Sequence, residues 1–134
     1  MEVLGEPSAQ ARHRHFSHGK FHGTYDPSKK EKETFASIIQ KNAPLQPFSD
    51  TISLELMFYM SRPKYHYGSG RRSYFLKNSA PEYHAKRPDL DNLCKFVIDA
   101  MNKIFWKDDS QISKLVAEKK YSEVPRTEII IKTL

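Results

Sequence analysis

The chain has 134 residues, 38% of them hydrophobic and 28% charged, which suits a single globular domain with one core. No stretch approaches the ~18 consecutive apolar residues of a membrane span, no signal-peptide pattern opens the chain, and the single Cys94 excludes an internal disulfide. The formal net charge of +6 is uneven: residues 62–87 hold Arg62, Lys64, Arg71, Arg72, Lys77, Lys86 and Arg87 against Glu82 alone, so that block accounts for the whole surplus. A basic block of this density reads as a contact surface for a phosphate backbone.

Met1 to Leu4 is a short apolar start suited to an edge strand, ended by Gly5-Glu6-Pro7. Residues 8–25, within a loop bounded at 5–26, read as a polar loop carrying Arg12, His13, Arg14, His15, Phe16, His18, Lys20, Phe21 and His22. Four histidines invite a zinc reading, but neither a cysteine nor a patterned acid accompanies them. Cations interleaved with rings suit nucleic acid better, since cations meet phosphates and rings stack on unpaired bases. Phe16 and Phe21 then either anchor the loop to the core or wedge between bases.

Asp26-Pro27 marks a helix start, with Asp26 as the cap, and Phe35, Ile38 and Ile39 recur at helical spacing before Pro44 and Pro47. Thr51 to Met60 alternates, with Ile52, Leu54, Leu56, Phe58 and Met60 on one side, which predicts a half-buried strand. Residues 61–87 lack periodicity and mix Tyr65, Tyr67, Tyr74, Phe75, Tyr83 and His84 with the cations above. A loop of that length in a compact domain is commonly functional.

The chain then becomes most informative, from Arg87 to Gln111: R-P-D-L-D-N-L-C-K-F-V-I-D-A-M-N-K-I-F-W-K-D-D-S-Q. Pro88 and Asp89 form a helix start, and Leu90, Leu93, Cys94, Val97, Ile98, Met101 and Ile104 make one apolar stripe. The stripe accounts for a helix but not for the carboxylates. Acids at a helix start complement the macrodipole, Asp91 with Lys95 could be an ordinary i,i+4 pair, and Asp108-Asp109 could be a plain turn. Beside so basic a surface, however, clustered carboxylates are what a metal-dependent phosphodiesterase requires. Ile112–Tyr121 and Thr127–Leu134 read as two strands joined as a hairpin through Pro125 and Arg126. The order β-α-β-α-β-β gives an α+β fold: one domain over 1–134, with helices on a mixed or antiparallel sheet.

The segments R-P-D-L-D-N-L-C-K and F-W-K-D-D-S-Q-I resemble the RusA family of Holliday-junction resolvases. The resemblance rests on Asp89, Leu90, Asp91, Asn92, Leu93, Lys95, Asp99, Ala100, Asp108, Asp109 and Gln111 in register. It extends more weakly to the flanking strands and helix, and not to the two loops. Pro88 departs from a pattern in which some members carry a second base. The resemblance implies a cytoplasmic, bacterial or phage-encoded endonuclease acting on four-way junction DNA as a homodimer, with no small-molecule cofactor. It implies that Asp89, Asp91 and Asp109 hold Mg²⁺, for which Mn²⁺ could substitute, with Asp108 assisting and Lys95 facing the phosphate. Arg12, Arg14, Phe16, Lys20, Phe21, Arg71, Arg72, Lys86 and Arg87 are then the expected DNA contacts. The competing readings are a non-cleaving DNA-binding module and a metal nuclease for RNA or other branched DNA.

Geometry limits the site. A helix reaching Ile104 would leave Asp91 ~20 Å from its end, while the five residues to Asp109 span at most ~17 Å. Either the helix stops near Met101-Asn102 and N-K-I-F-W-K doubles back, which is the favoured expectation, or a partner subunit supplies Asp109.

Overall fold

A computed structural model describes residues 1–134. Its elements are β1 (Glu2–Leu4), β2 (Arg14–His18), β3 (Phe21–Tyr25), α1 (Lys29–Ile39), β4 (Ile52–Ser61), α2 (Leu90–Met101), β5 (Ile112–Ser122) and β6 (Arg126–Thr133). The α+β, single-domain architecture is as expected, but the order gains a hairpin, β2–β3, where the sequence suggested an irregular loop. No helix is long and apolar enough to cross a membrane.

β4 is the spine. Ile52, Leu54, Leu56, Phe58 and Met60 are each at most 2% exposed, and burying side chains of this size contributes about 1.5–3 kcal/mol apiece. Phe35 and Ile39 of α1 and Leu93, Phe96, Val97, Ala100 and Met101 of α2 complete the core, with Phe35 meeting Phe96 edge-on at 5.7 Å. Phe96 lies inside although the stripe read from the sequence omitted it, and Ile38 lies outside although it was included.

The sheet runs β1-β6-β4-β5. β5 and β6 are therefore not a hairpin: β4 lies between them, parallel to β5 and antiparallel to β6. Residues 123–125 step across the end of β4, a distance of two strand spacings or ~9.6 Å. The long segment between β4 and β5 is what permits parallel pairing, because parallel neighbours need a crossover and here α2 provides it.

α2 stops at Met101, as expected. Phe105 and Trp106 are almost fully buried, so the chain must turn inward there, and Lys103 takes a left-handed φ of 69° to make the turn. Asp26 is not the α1 cap. Its carboxylate accepts from the Ser28 N–H at 2.9 Å, Gln10 Nε2 at 2.8 Å and Lys32 Nζ at 2.7 Å, and Lys32 also donates to Asp99 at 3.1 Å. This network ties the root of the β2–β3 hairpin to both helices.

Burial alone would raise the Asp26 pKa, but the bonds from Lys32, Gln10 and Ser28 outweigh it and bring it to about 2, from 3.8. A carboxyl with a lowered folded-state pKa stabilises the fold above its unfolded value, and that contribution fades as pH falls from about 4 toward 2. Asp26→Asn should cost about 2 kcal/mol in urea melts at pH 7, with the difference from wild type vanishing near pH 2. An equal gap at both pH values would contradict the role assigned to the Asp26 charge.

Candidate active site

The start of α2 carries two carboxylates, Asp89 and Asp91, whose side chains make no hydrogen bond or ion pair within the protein. Asp89 occupies the N-cap position, yet its side chain makes no capping bond and only its carbonyl enters the helix, accepting from Leu93 N–H. Asp91 is exposed in the first turn, where the helix dipole favours an acid, and the Asp91–Lys95 ion pair is not formed. Asp99, two turns on, is committed to Lys32.

The segment leading into α2 is held by Lys119 of β5, whose ammonium donates to the Lys86 and Pro88 carbonyls at 2.6 Å each. Residues 82–84 pair alongside β5, His84 N–H donating to Lys119 and Tyr121 N–H to Glu82. Asp89 and Asp91 therefore sit where β5 ends. Gln10 N–H donates to Asn92 at 2.9 Å, so the hairpin root lies at the same end.

Asp108 and Asp109 lie where β5 begins, and they differ. The Asp108 carboxylate accepts from Ser110 N–H at 3.0 Å and faces Lys103 at 3.6 Å. The Ser110 bonds and then the Lys103 charge hold it below the ordinary carboxylate range. Gln111 closes the same turn, its Oε1 accepting from the Lys107 and Asp108 N–H groups while its amide donates to Phe48 and Asp50. Asp108 is thus a turn residue. Asp109 is half-buried and aimed by the indole N–H of the fully buried Trp106, at 2.8 Å.

Closure within one chain does not occur. The seven steps from Ile112 to Lys119 cover ~23 Å along β5, and no three His, Cys, Asp or Glu side chains are gathered to hold a metal. The early helix stop is present, but the doubling back delivers Asp109 to the far end of the strand.

The expected DNA contacts are all on the surface. Arg71 and Arg72 lie in the short 3₁₀ turn Gly70–Arg72, and Arg87 adjoins Pro88. Lys86 donates to the Tyr65 hydroxyl at 2.7 Å. Arg12 precedes the hairpin, Arg14 and Phe16 are in β2, Lys20 is in the turn and Phe21 opens β3. No acid occurs between Pro7 and Tyr25. The hairpin turns on Gly19-Lys20, with Gly19 at φ +62° as a two-residue turn opened by glycine requires. Phe16 pairs with Gly23, and its ring lies so close that a Cβ on Gly23 would meet it at 2.5 Å. Neither phenylalanine anchors the core: Phe16 covers its own glycine, and Phe21 is 77% exposed beside the tip.

A family model described as Endodeoxyribonuclease RusA matches residues 5–132. The chain belongs to the RusA family of endodeoxyribonucleases. It is 35% identical over 133 residues, 97% of its length, to the protein described as Uncharacterized protein YqaN from Bacillus subtilis (strain 168), of which 92% is covered. It is 34% identical over 111 residues to Crossover junction endodeoxyribonuclease rusA of Lactococcus phage r1t, covering 80% of this chain and 75% of that one.

Within this RusA chain, the sequence reading passed over Lys119 and Trp106. Lys119 sits in an ordinary exposed-looking strand pattern, so nothing in its neighbours signals the clamp. Trp106 carried a usable signal: a buried indole needs an acceptor, and Asp109 is three residues away.

The hairpin generates a test of Phe21. Phe21→Ala should leave the melting temperature unchanged without DNA, since the ring touches no core. It should lower the 2-aminopurine signal of central bases unstacked in a bound four-way junction, because a lost stacking contact is worth ~1–3 kcal/mol. A variant that unstacks those bases as wild type does would remove Phe21 from the contact surface.

Proposed function

We propose that the chain is a Mg²⁺-dependent resolvase of four-way DNA junctions, acting in recombination or repair as a homodimer whose two sites are each shared between subunits. The observation that carries this reading is the pair of unpartnered carboxylates at the start of α2, next to a block bearing the whole cation surplus. Carboxylates left bare on a DNA-facing surface repel phosphate unless a cation joins them, which argues against a module that binds without cutting.

The donor set suits the ion. Mg²⁺ takes oxygen ligands and uses one or two carboxylates with waters and phosphate oxygens, and Asp89 and Asp91 have their lone pairs free. Bound there, the ion would lower the pKa of a water and stabilise charge on the phosphate in flight. The residues of the chain do the rest. Lys95, one turn along from Asp91, presents an exposed ammonium to the phosphate whose P–O bond breaks as the water oxygen bonds to phosphorus. Lys119 fixes the backbone from which Asp89 projects.

The third carboxylate is supplied by a second copy. β5 is a sheet edge, covered by residues 82–84 only along Lys119–Tyr121. Its first half is open, with Leu115 and Val116 exposed; Leu115 lines a shallow groove with Leu90, Cys94, Ile98 and Ala117, and Asp91 and Lys95 stand at the same groove. Antiparallel pairing of two such halves, centred on Leu115, would set Ile112 of one copy opposite Glu118 of the other, short of the part covered by residues 82–84, with the Asp109 turn three residues further on. That carries Asp109 to the Asp89 end of the neighbouring β5. A two-fold dimer also suits a junction, where two strands are cut symmetrically.

Asp91→Asn should abolish cleavage of a synthetic four-way junction in Mg²⁺ while junction binding is kept or tightened, as less negative charge opposes phosphate. Asp89→Asn and Asp109→Asn should behave alike, whereas Asp99→Asn should cut normally and lose stability. Wild type should leave a linear duplex of the same sequence intact. Near wild-type cutting by Asp91→Asn, or equal cutting of duplex and junction, would overturn the assignment.

A further inference from the structure

Between β5 and the segment 64–86 lies a cavity of about 410 Å³ that the cleavage chemistry does not use. Its lining is aromatic and cationic: Tyr65, His66, Tyr83 and Tyr121 with Lys77 and Lys86. His66 and Tyr121, 4% and 8% exposed, are packed edge to face with ring centroids 4.7 Å apart, and Tyr65 meets His66 in the same way at 4.8 Å. Tyr65 and Tyr83 are half exposed and leave ring surface open to solvent. Lys86 lies 5.2 Å over the Tyr65 ring, and Lys120 lies 5.1 Å over that of Tyr83.

The position matters as much as the lining. Lys86 stands three residues before Asp89, a span of at most ~10 Å, and Lys119 pins the carbonyls of both Lys86 and Pro88. The cavity wall and the first carboxylate of the site are thus one clamped segment.

We propose that this cavity receives one nucleobase, unstacked from the strand being cut, and selects which base stands next to the scissile phosphate. The proposal rests on the assignment of Asp89 and Asp91 as the cutting site. Flat rings offer the faces on which a base stacks. Two lysines at the rim suit the phosphates flanking it. The cavity has the size and the mixture of aromatic wall and few polar groups that small planar ligands use, and it is too small for a protein segment with side chains. The His66 imidazole is kept neutral by burial and by the nearby charges of Arg62, Lys86 and Lys77, which push its pKa down. With Nδ1 accepting from Arg62 at 3.4 Å, the neutral ring keeps Nε2–H to donate, and the Ser79 hydroxyl at the lining can donate or accept toward a base edge. At a four-way junction the base is available cheaply, because stacking is already interrupted at the crossover.

Two measurements test this. In EDTA, wild-type protein is irradiated with immobile junctions carrying a single 5-iododeoxyuridine at successive positions around the crossover. A cross-link confined to one position and mapping to Tyr65 or Tyr83 is expected; cross-links only elsewhere in the chain would overturn the proposal. In Mg²⁺, junctions with each of the four bases at that position should be cut by wild type at rates spread about tenfold or more, the equivalent of ~1.4 kcal/mol. Tyr83→Ala and, separately, Lys77→Ala should narrow the spread to about twofold, and an unchanged spread in both would overturn the proposal. The cross-link does not require cutting. Its appearance with a protein that cleaves no junction would support the base cavity while ending the nuclease assignment.

Discussion

The parallel pairing of β4 with β5 decides where every charged group of the site can be. Parallel neighbours need a crossover, and the crossover helix must run back against the strands it joins. The start of α2 therefore lies at the finishing end of β4 and β5, and whatever precedes β5 lies at the opposite end. Asp89 and Asp91 belong to the first place and Asp109 to the second. No adjustment of the turn at 102–108 changes this, because α2 is ~18 Å long and β5 longer still. Under the proposed function, a complete three-carboxylate site requires two chains, and the open first half of β5 is the edge proposed for their meeting.

The acids divide by what holds them. Asp26 and Asp99 share Lys32, and Asp108 is spent on a turn. Asp109 keeps one oxygen on an indole N–H, which fixes its direction without neutralising it. Asp89 and Asp91 have no partner of any kind, although Lys95 is one turn from Asp91. Acids at a helix start are favoured by the helix dipole, so their position alone demands no ligand; what sets this pair apart is that neither side chain is engaged within the protein although a basic block lies beside it. Around them the cations serve two ends: Lys119 is turned inward as a clamp, while Arg71, Arg72 and Arg87 face solvent, where a backbone could reach them.

Much of this was legible before any coordinates. The β4 alternation, the α2 boundaries and the N-cap position of Asp89 follow from periodicity and from the chemistry of helix ends, which are local. The strand partners are not local. Ile112–Ser122 and Arg126–Thr133, three residues apart, read as a hairpin, and nothing in their sequence reveals that β4 is inserted between them. That error also hid the separation of Asp109 from Asp91. The β2–β3 hairpin escaped for a different reason: both of its faces are polar, so no apolar alternation marks it, and only the Gly19-Lys20 turn between two short runs gave a signal. Ile38 and Phe96 were misjudged because α1 and α2 pack on each other as well as on the sheet, which widens one buried stripe and narrows the other. The Asp108-Asp109 pair could not be divided by sequence, since the division is made by Trp106 and Ser110, whose bonds exist only in the folded turn.

Subunit complementation tests the shared site most directly. Asp91→Asn and Asp109→Asn proteins, each inactive alone, are mixed, allowed to exchange subunits, and assayed on a four-way junction in Mg²⁺. In a mixed dimer with shared sites, both substitutions fall in one site and the other is intact. Activity should return with about a quarter of the wild-type number of sites, and the products should be junctions nicked on one strand. If each site were built within one chain, every site in the mixed dimer would carry a substitution. A mixture as inactive as either parent, with subunit exchange verified, would contradict the account.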